Sequence, residues 1–237
     1  MKVYLDNAAT TSLINEVIDE MLPFMKEQYG NPSSIHAYGR EVRSRIEKGR
    51  KSISKLLKCS PSEIYFTSSG TEANNTVIKG CVTGLGVTHV VSSKIEHHCV
   101  LHSVEEVGKM DNVEVHYVEL DENGHVDLEA LDTLLSGIDG KVLVTLMHAN
   151  NELGNLIDLK KLSGICRKHN AYLHSDTVQT LGHYQLDLGE LDIDFVSGSG
   201  HKFHGPKGAG LLYVNGRIKL SPFIHGGSQE RNMRAGT

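Results

Sequence analysis

Ile64-Tyr65-Phe66-Thr67, Ser68-Ser69-Gly70-Thr71-Glu72 and Ala73-Asn74-Asn75-Thr76-Val77-Ile78 follow one another without a gap. The first stretch is apolar and aromatic, as a short strand requires, and the last carries apolar residues at helical spacing. The small polar residues between them suit a tight turn that caps a helix. The same alternation recurs along the chain. Strand-like runs at 63–67, 89–92, 113–118, 141–147, 171–174 and 193–196 are separated by amphipathic stretches at 40–57, 71–82, 100–109, 128–135 and 159–169. Repeated β-α units predict an α/β fold, a mostly parallel sheet with helices on both faces. The last thirty or so residues, with Pro222 and Gly226-Gly227, read as irregular surface segments, and no linker or repeat marks a domain boundary.

With 237 residues and 39% hydrophobic content, the chain can bury a sizeable core. A net charge of -5 with no basic run leaves no electrostatic footprint for nucleic acid or an anionic membrane. The opening Met1-Lys2-Val3-Tyr4-Leu5-Asp6 lacks a signal-peptide core, and no apolar run would span a bilayer, so the expected location is the cytoplasm. Cys59, Cys81, Cys99 and Cys166 show no paired spacing, which argues against disulfides and structural zinc; each reads as a small buried residue. His97, His98 and His102 lie close together but match no metal motif, and no metal is expected.

In open α/β sheets, ligands sit beyond the carboxyl ends of the strands. That rule singles out the turn at Gly70-Thr71, Glu96-His97, Asn150-Asn151-Glu152, Asp176, and Ser197-Gly198-Ser199-Gly200-His201-Lys202. Gly70 at a helix start would let a phosphate reach unpaired N–H groups, although a plain cap by Ser69 or Thr71 accounts for the same residues. Lys202, flanked by small residues, suits a Schiff base, although an exposed lysine in a hairpin loop has the same composition. Asp176 either holds a protonated heterocyclic nitrogen or caps the next helix. His97 either stacks on a flat ring and moves a proton or is a loop histidine without a role. Together these residues supply the contacts of one phosphorylated, aldehyde-bearing cofactor.

The chain resembles the pyridoxal-phosphate (PLP) dependent cysteine desulfurases of the class V aminotransferase group. The likeness lies in Leu5-Asp6-Asn7-Ala8-Ala9-Thr10-Thr11, Gly30-Asn31-Pro32-Ser33-Ser34, the stretch from Thr67 to Asn75, and Glu96-His97. It continues through Met147 to Gly154, Ser199-Gly200-His201-Lys202, and His225-Gly226-Gly227 to Arg234-Ala235-Gly236-Thr237. The resemblance implies the large domain of the fold type I PLP enzymes, with a seven-stranded type of sheet, over 1–237. It implies that 1–30 packs on a small domain that follows. Lys202 would carry the cofactor, Asp176 pair with the pyridine nitrogen, Gln179 bond the ring hydroxyl, and His97 stack on the ring and act as acid or base. Gly70, Thr71, Ser199 and His201 would hold the phosphate, and Asn151 would contact cofactor and substrate. Thr237 is similar to a residue that reaches the phosphate of the other subunit, which implies a homodimer.

The implied reaction removes sulfur from L-cysteine, leaving alanine and an enzyme persulfide. The sulfur would pass to an acceptor such as an iron–sulfur scaffold protein, a branch suggested by Gly205-Pro206-Lys207-Gly208. In the family, a small domain beyond the position of Thr237 supplies the sulfur-accepting cysteine and a substrate-binding arginine. Neither is matched in this sequence, so the chain is expected to be the N-terminal portion. An aminotransferase or selenocysteine lyase of the same fold, and a noncatalytic cofactor-binding or dimerisation module, are the alternatives.

Overall fold

The computed structural model describes residues 1–237. Its centre is a sheet of seven strands in the order β1-β7-β6-β5-β4-β2-β3. The strands are β1 (Ile64–Thr67), β2 (His89–Ser92), β3 (Glu114–Tyr117), β4 (Val142–Thr145), β5 (Tyr172–Asp176), β6 (Phe195–Ser199) and β7 (Gly210–Val214). β3, β2, β4, β5 and β6 pair in parallel, whereas β7 runs antiparallel to both β6 and β1. Every strand but β7 therefore points the same way, and their carboxyl ends share one edge of the sheet.

Successive strand residues face opposite sides, and both sides are apolar. Val91, Val144, Leu173, Val196 and Tyr213 point to one side. There they meet the helices α5 (Leu128–Ser136) and α6 (Leu159–Lys168), through Leu131, Leu135, Leu162 and Cys166. Val90, Leu143, Phe195 and Leu212 point to the other side, against Ala73, Val77 and Ile78 of α3 (Gly70–Gly80) and Val100 and Val104 of α4 (His98–Val107). Two remaining helices, α1 (Asn15–Lys26) and α2 (Ala37–Leu56), precede the sheet. The helices on both faces and the mostly parallel sheet are as the sequence predicts.

Two expectations need correction. The segment read as irregular at the end of the chain begins with β7, whose residues are all buried. The run Gly210-Leu211-Leu212-Tyr213-Val214 is continuous rather than alternating because helices cover both its faces. Helix α1 has no counterpart in the sequence reading: it contains Pro23, a usual breaker, and buries none of its residues in this chain.

β7 also sets the position of α3. A β-carbon on Gly210 would lie 2.5 Å from the backbone carbon of Ser69 and 2.6 Å from its nitrogen. Only a glycine lets β7 pass this close to the turn that starts α3. Across the sheet, Glu96 joins the segments after β2 and β4, accepting hydrogen bonds from Ser93 Oγ and Met147 N, each at 2.9 Å. Burial pushes its carboxyl up to about 8, with Asp176 adding to the shift and the two hydrogen bonds opposing it.

Gly210→Ala is expected to destabilise the fold by about 1–3 kcal/mol through overpacking, read from urea unfolding. Because the folded carboxyl of Glu96 titrates near 8 and an unfolded one near 4.5, stability falls as pH rises through that window. Glu96→Gln removes this dependence, so its stability relative to the parent should increase with pH across the window, by up to about 1.4 kcal/mol per unit. An equal stability difference between variant and parent at the two ends of the range, read from urea unfolding, would refute it.

Candidate active site

Beyond the carboxyl ends of the strands lies a crevice of about 210 Å³, lined by Ser69, Gly70 and Thr71 after β1, by His97 and Cys99 after β2, and by Met147 and Asn151 after β4. Asp176 closes β5, with Val178 and Gln179 just beyond it, and Ser199, His201 and Lys202 come from the end of β6 and the turn that follows. Every residue singled out for the cofactor from the sequence lies here except Thr237. Thr237 lines a wider cavity of about 880 Å³ with Arg43, Arg50, Arg231 and Arg234, and its hydroxyl accepts from Asn31 Nδ2 at 3.4 Å.

Lys202 lies in the connection between the antiparallel strands β6 and β7, so it is a hairpin lysine and a crevice lysine at once. Its amine donates to the carbonyls of Ala8 and, at 3.0 Å, of Ala9. Burial lowers its pKa, while Asp176 and Asp6 raise it. The segment 8–12 is anchored across the lysine turn. Thr11 N donates to His201 O at 2.9 Å, His204 N donates to Thr11 Oγ1 at 2.7 Å, and Gln179 Nε2 donates to Ala8 O at 2.9 Å. His201 Nδ1 pairs with Thr10 Oγ1 at 3.0 Å.

Asp176 is 5% exposed. One oxygen accepts from Asn74 Nδ2 at 2.6 Å and the other from Val178 N at 2.9 Å. Both donors are neutral, so burial raises its pKa despite those bonds and the field of His97 and Lys202. The helix cap foreseen as an alternative is not found, because no helix lies between β5 and β6; the bond from Val178 N instead closes a turn at the crevice. At the start of α3 the foreseen helix cap is present: Ser69 Oγ accepts from Glu72 N at 3.1 Å while Gly70 and Thr71 open onto the crevice.

His97 caps α4, its Nδ1 accepting from Cys99 N at 3.1 Å, which leaves Nε2 without a partner in the chain. Asn151 donates to its neighbour Glu152 at 2.8 Å. His98 and His102 stand with ring centroids 5.5 Å apart and bring no third ligand with them.

Sequence reasoning misses Asn74, Cys99 and the carbonyls of Ala8 and Ala9. Asn74 holds Asp176, and its place one turn into α3 is the signal that could have found it. Cys99, expected to be merely structural, lines the crevice, with its sulfur 3.2 Å from Asn74 Nδ2 and 3.0 Å from His97 Nδ1. Burial and Asp176 push its thiol up, so it stands as a protonated thiol rather than a ready nucleophile. The carbonyls of Ala8 and Ala9 reach the site only through the tertiary fold and leave no sequence signal.

This arrangement offers one amine, one buried carboxylate and the N-termini of two helices, α3 and α4, around one crevice. Comparison with known proteins agrees in kind. The model of the family "Aminotransferase class-V" matches residues 3–235. A cysteine desulfurase IscS of Dictyoglomus turgidum is 47% identical over all of this chain, which spans 60% of that relative. A cysteine desulfurase IscS of Methanosarcina thermophila is 42% identical over 99% of the chain and 58% of its own length. Among solved structures, a NifS-like protein superposes on all of the chain with TM-score 0.94 at 41% identity, over 65% of its own length. SspA in complex with cysteine does so with TM-score 0.93 at 33% identity, over 68% of its length. The chain thus spans about three fifths of the curated relatives it matches. On these grounds it belongs to the class V aminotransferase family, with cysteine desulfurases among its relatives.

Proposed function

We propose that the chain is the PLP-binding large domain of a cysteine desulfurase that takes sulfur from L-cysteine and hands it to an acceptor such as an iron–sulfur scaffold protein. The observation that carries the reading is the gathering of Lys202, Asp176 and the start of α3 in one crevice. The residues fit the cofactor on their own chemistry. A buried carboxylate bonded only to neutral donors is suited to a cationic N–H, and a lysine whose pKa burial lowers is suited to capture an aldehyde.

PLP, when bound, supplies that aldehyde and an electron-withdrawing ring. Asp176, steadied by Asn74 and Val178, would keep the ring nitrogen protonated, and Gln179 would bond the ring hydroxyl. The N–H groups at Gly70 and Thr71, with Ser199 and His201, would hold the phosphate. To react, Lys202 must leave the Ala8 and Ala9 carbonyls. Released from them, it would take the substrate's α-proton, a role that burial favours by lowering its pKa. His97, anchored through Nδ1, would present Nε2 for proton transfer and its face to the ring, and Asn151 would meet the substrate. L-cysteine as substrate draws support from the desulfurase relatives and from SspA in complex with cysteine.

Two wider parts of the reading have support in the fold. Ile14, Ile18, Leu22 and Met25 expose apolar surface on or beside α1, which suits the packing of 1–30 on a following small domain. Thr237 lies outside the chain's own crevice, as a residue serving the partner of a homodimer would. No helix is long and apolar enough to cross a membrane, and the four cysteines are free, which supports a cytoplasmic location.

Borohydride reduction of the PLP-loaded protein should fix the cofactor on the peptide containing Lys202. The visible absorbance band should vanish in Lys202→Ala. In the intact protein, His97→Ala should lower sulfide release from L-cysteine by about 10²- to 10⁴-fold. Cofactor fixed elsewhere would overturn the site. Transamination without sulfur release would move the reading to an aminotransferase.

A further inference from the structure

At the opposite end of the sheet from the crevice, the amino ends of β2 and β3 bring together three side chains with no part in the proposed chemistry. His89 opens β2 and Glu114 opens β3, and the two are register partners in the parallel ladder. His116 lies two residues after Glu114 and therefore on the same face of the sheet. His89 Nδ1 and His116 Nε2 face each other at 3.2 Å, and a Glu114 carboxylate oxygen lies 3.9 Å from each nitrogen. This is the one group of three histidine, cysteine or acidic side chains in the molecule whose ligand atoms converge within 4.8 Å.

We propose that His89, Glu114 and His116 form a binding site for a divalent transition-metal ion of borderline softness, of the Zn2+ type, which clips the edge strand β3 to β2. Ligand atoms held at ~2.0–2.1 Å around a tetrahedral Zn2+ stand about 3.3 Å from one another. The two nitrogens already have that separation. The carboxylate oxygen must come about 0.6 Å closer to each nitrogen, and its side chain is 73% exposed and free to do so.

The frame beneath the ligands is rigid. His89 N donates to Lys141 O at 3.1 Å and Glu114 N donates to Thr88 O at 2.9 Å, so both strand starts are fixed. The His89 ring is packed against the backbone of Gly140, where a β-carbon would lie 2.8 Å from Cδ2 and 3.0 Å from Nε2. That contact holds one edge of the ring and leaves Nδ1 directed at His116. The histidine side chains are 15% and 24% exposed, enough for an ion to enter while part of its water is removed. Two imidazoles and one carboxylate leave a fourth position for water, the ligand set of an open zinc site. Without metal, the two rings share one proton in a simple hydrogen bond, the arrangement that binding would replace.

The test is titration of the purified, tag-free protein with Zn2+ in competition with a chromophoric chelator, together with Co2+ absorption spectroscopy. The expected result is one ion per chain and a Co2+ spectrum of nitrogen and oxygen ligation without thiolate charge transfer. His89→Ala and His116→Ala should each weaken binding by about 100-fold or more, since loss of even an outer-shell partner costs 10–100-fold. Glu114→Gln should weaken it by about tenfold. His89→Gln, which keeps a hydrogen-bonding group toward His116, gives a second variant should the alanine form fail to fold. Bound Zn2+ should also raise the thermal midpoint of the parent and leave that of His116→Ala unchanged. The proposal is overturned if the parent binds no Zn2+ at millimolar concentration, if the folded histidine variants bind as the parent does, or if Co2+ reports thiolate ligands. The readouts are independent of PLP and of sulfur chemistry, so the site and the proposed function stand or fall separately.

Discussion

The carboxylate of Asp176 is nearly sealed from water and bonded only to the neutral groups Asn74 Nδ2 and Val178 N. A charge so placed must take up a proton or find a cation, and burial accordingly raises its pKa. That demand organises the crevice. Lys202 and His97 lie close enough for their fields to oppose the shift, yet neither makes an ion pair with it. A cationic ring nitrogen would complete the set. The unusual burial of this acid makes sense as preparation for a ligand rather than as a contribution to stability.

The scaffold that brings amine, acid and helix start together is assembled by β7. Being antiparallel to its neighbours, β7 turns the chain back after β6 through a tight connection, and Lys202 sits in that connection at the carboxyl edge. Gly210 then lets β7 pass against Ser69, setting α3 so that its first N–H groups face the same opening. The segment 8–12 closes over the lysine turn through Thr11, Gln179 and His204. Residues close to 10, 70, 176 and 202 in sequence thus meet because of one reversed strand, with the parallel strands supplying direction and the helices supplying the apolar cover.

Much of this is legible in the sequence because it is local. The turn at Gly70 and the lysine at 202 carry their meaning in the residues beside them, and the five helices from α2 onward follow helical spacing within a few residues of their observed ends. β7 is hidden because a short buried apolar run among glycines lacks the alternation that marks a strand. Helix α1 is hidden by Pro23 and by the absence of a buried face within this chain. Cys99 and the carbonyls of Ala8 and Ala9 are hidden for a different reason: their place in the crevice is decided by how distant segments close over one another. Where cap and ligand readings compete, at Ser69, the structure contains the cap, and the same residue also faces the opening. The two readings are compatible, because a residue that ends a strand or begins a helix at this edge is held rigidly enough to position a ligand.

The two ends of the sheet are used differently, and strand direction explains why. At the carboxyl ends, loops after five strands converge and α3 presents the positive end of its dipole, which suits an anionic cofactor. At the amino ends there is no such convergence, and a site can arise only where neighbouring strands themselves place ligands side by side. Glu114-Val115-His116 does this through the two-residue period of a strand, and His89 completes it through the parallel register. Read along the sequence, these residues look like an ordinary polar edge, since the nearest histidine partner lies 27 positions away. Pairing turns that separation into contact. An edge strand held by one neighbour, as β3 is by β2, has more to gain from a cross-strand metal clip than the five inner strands, which are already held from both sides.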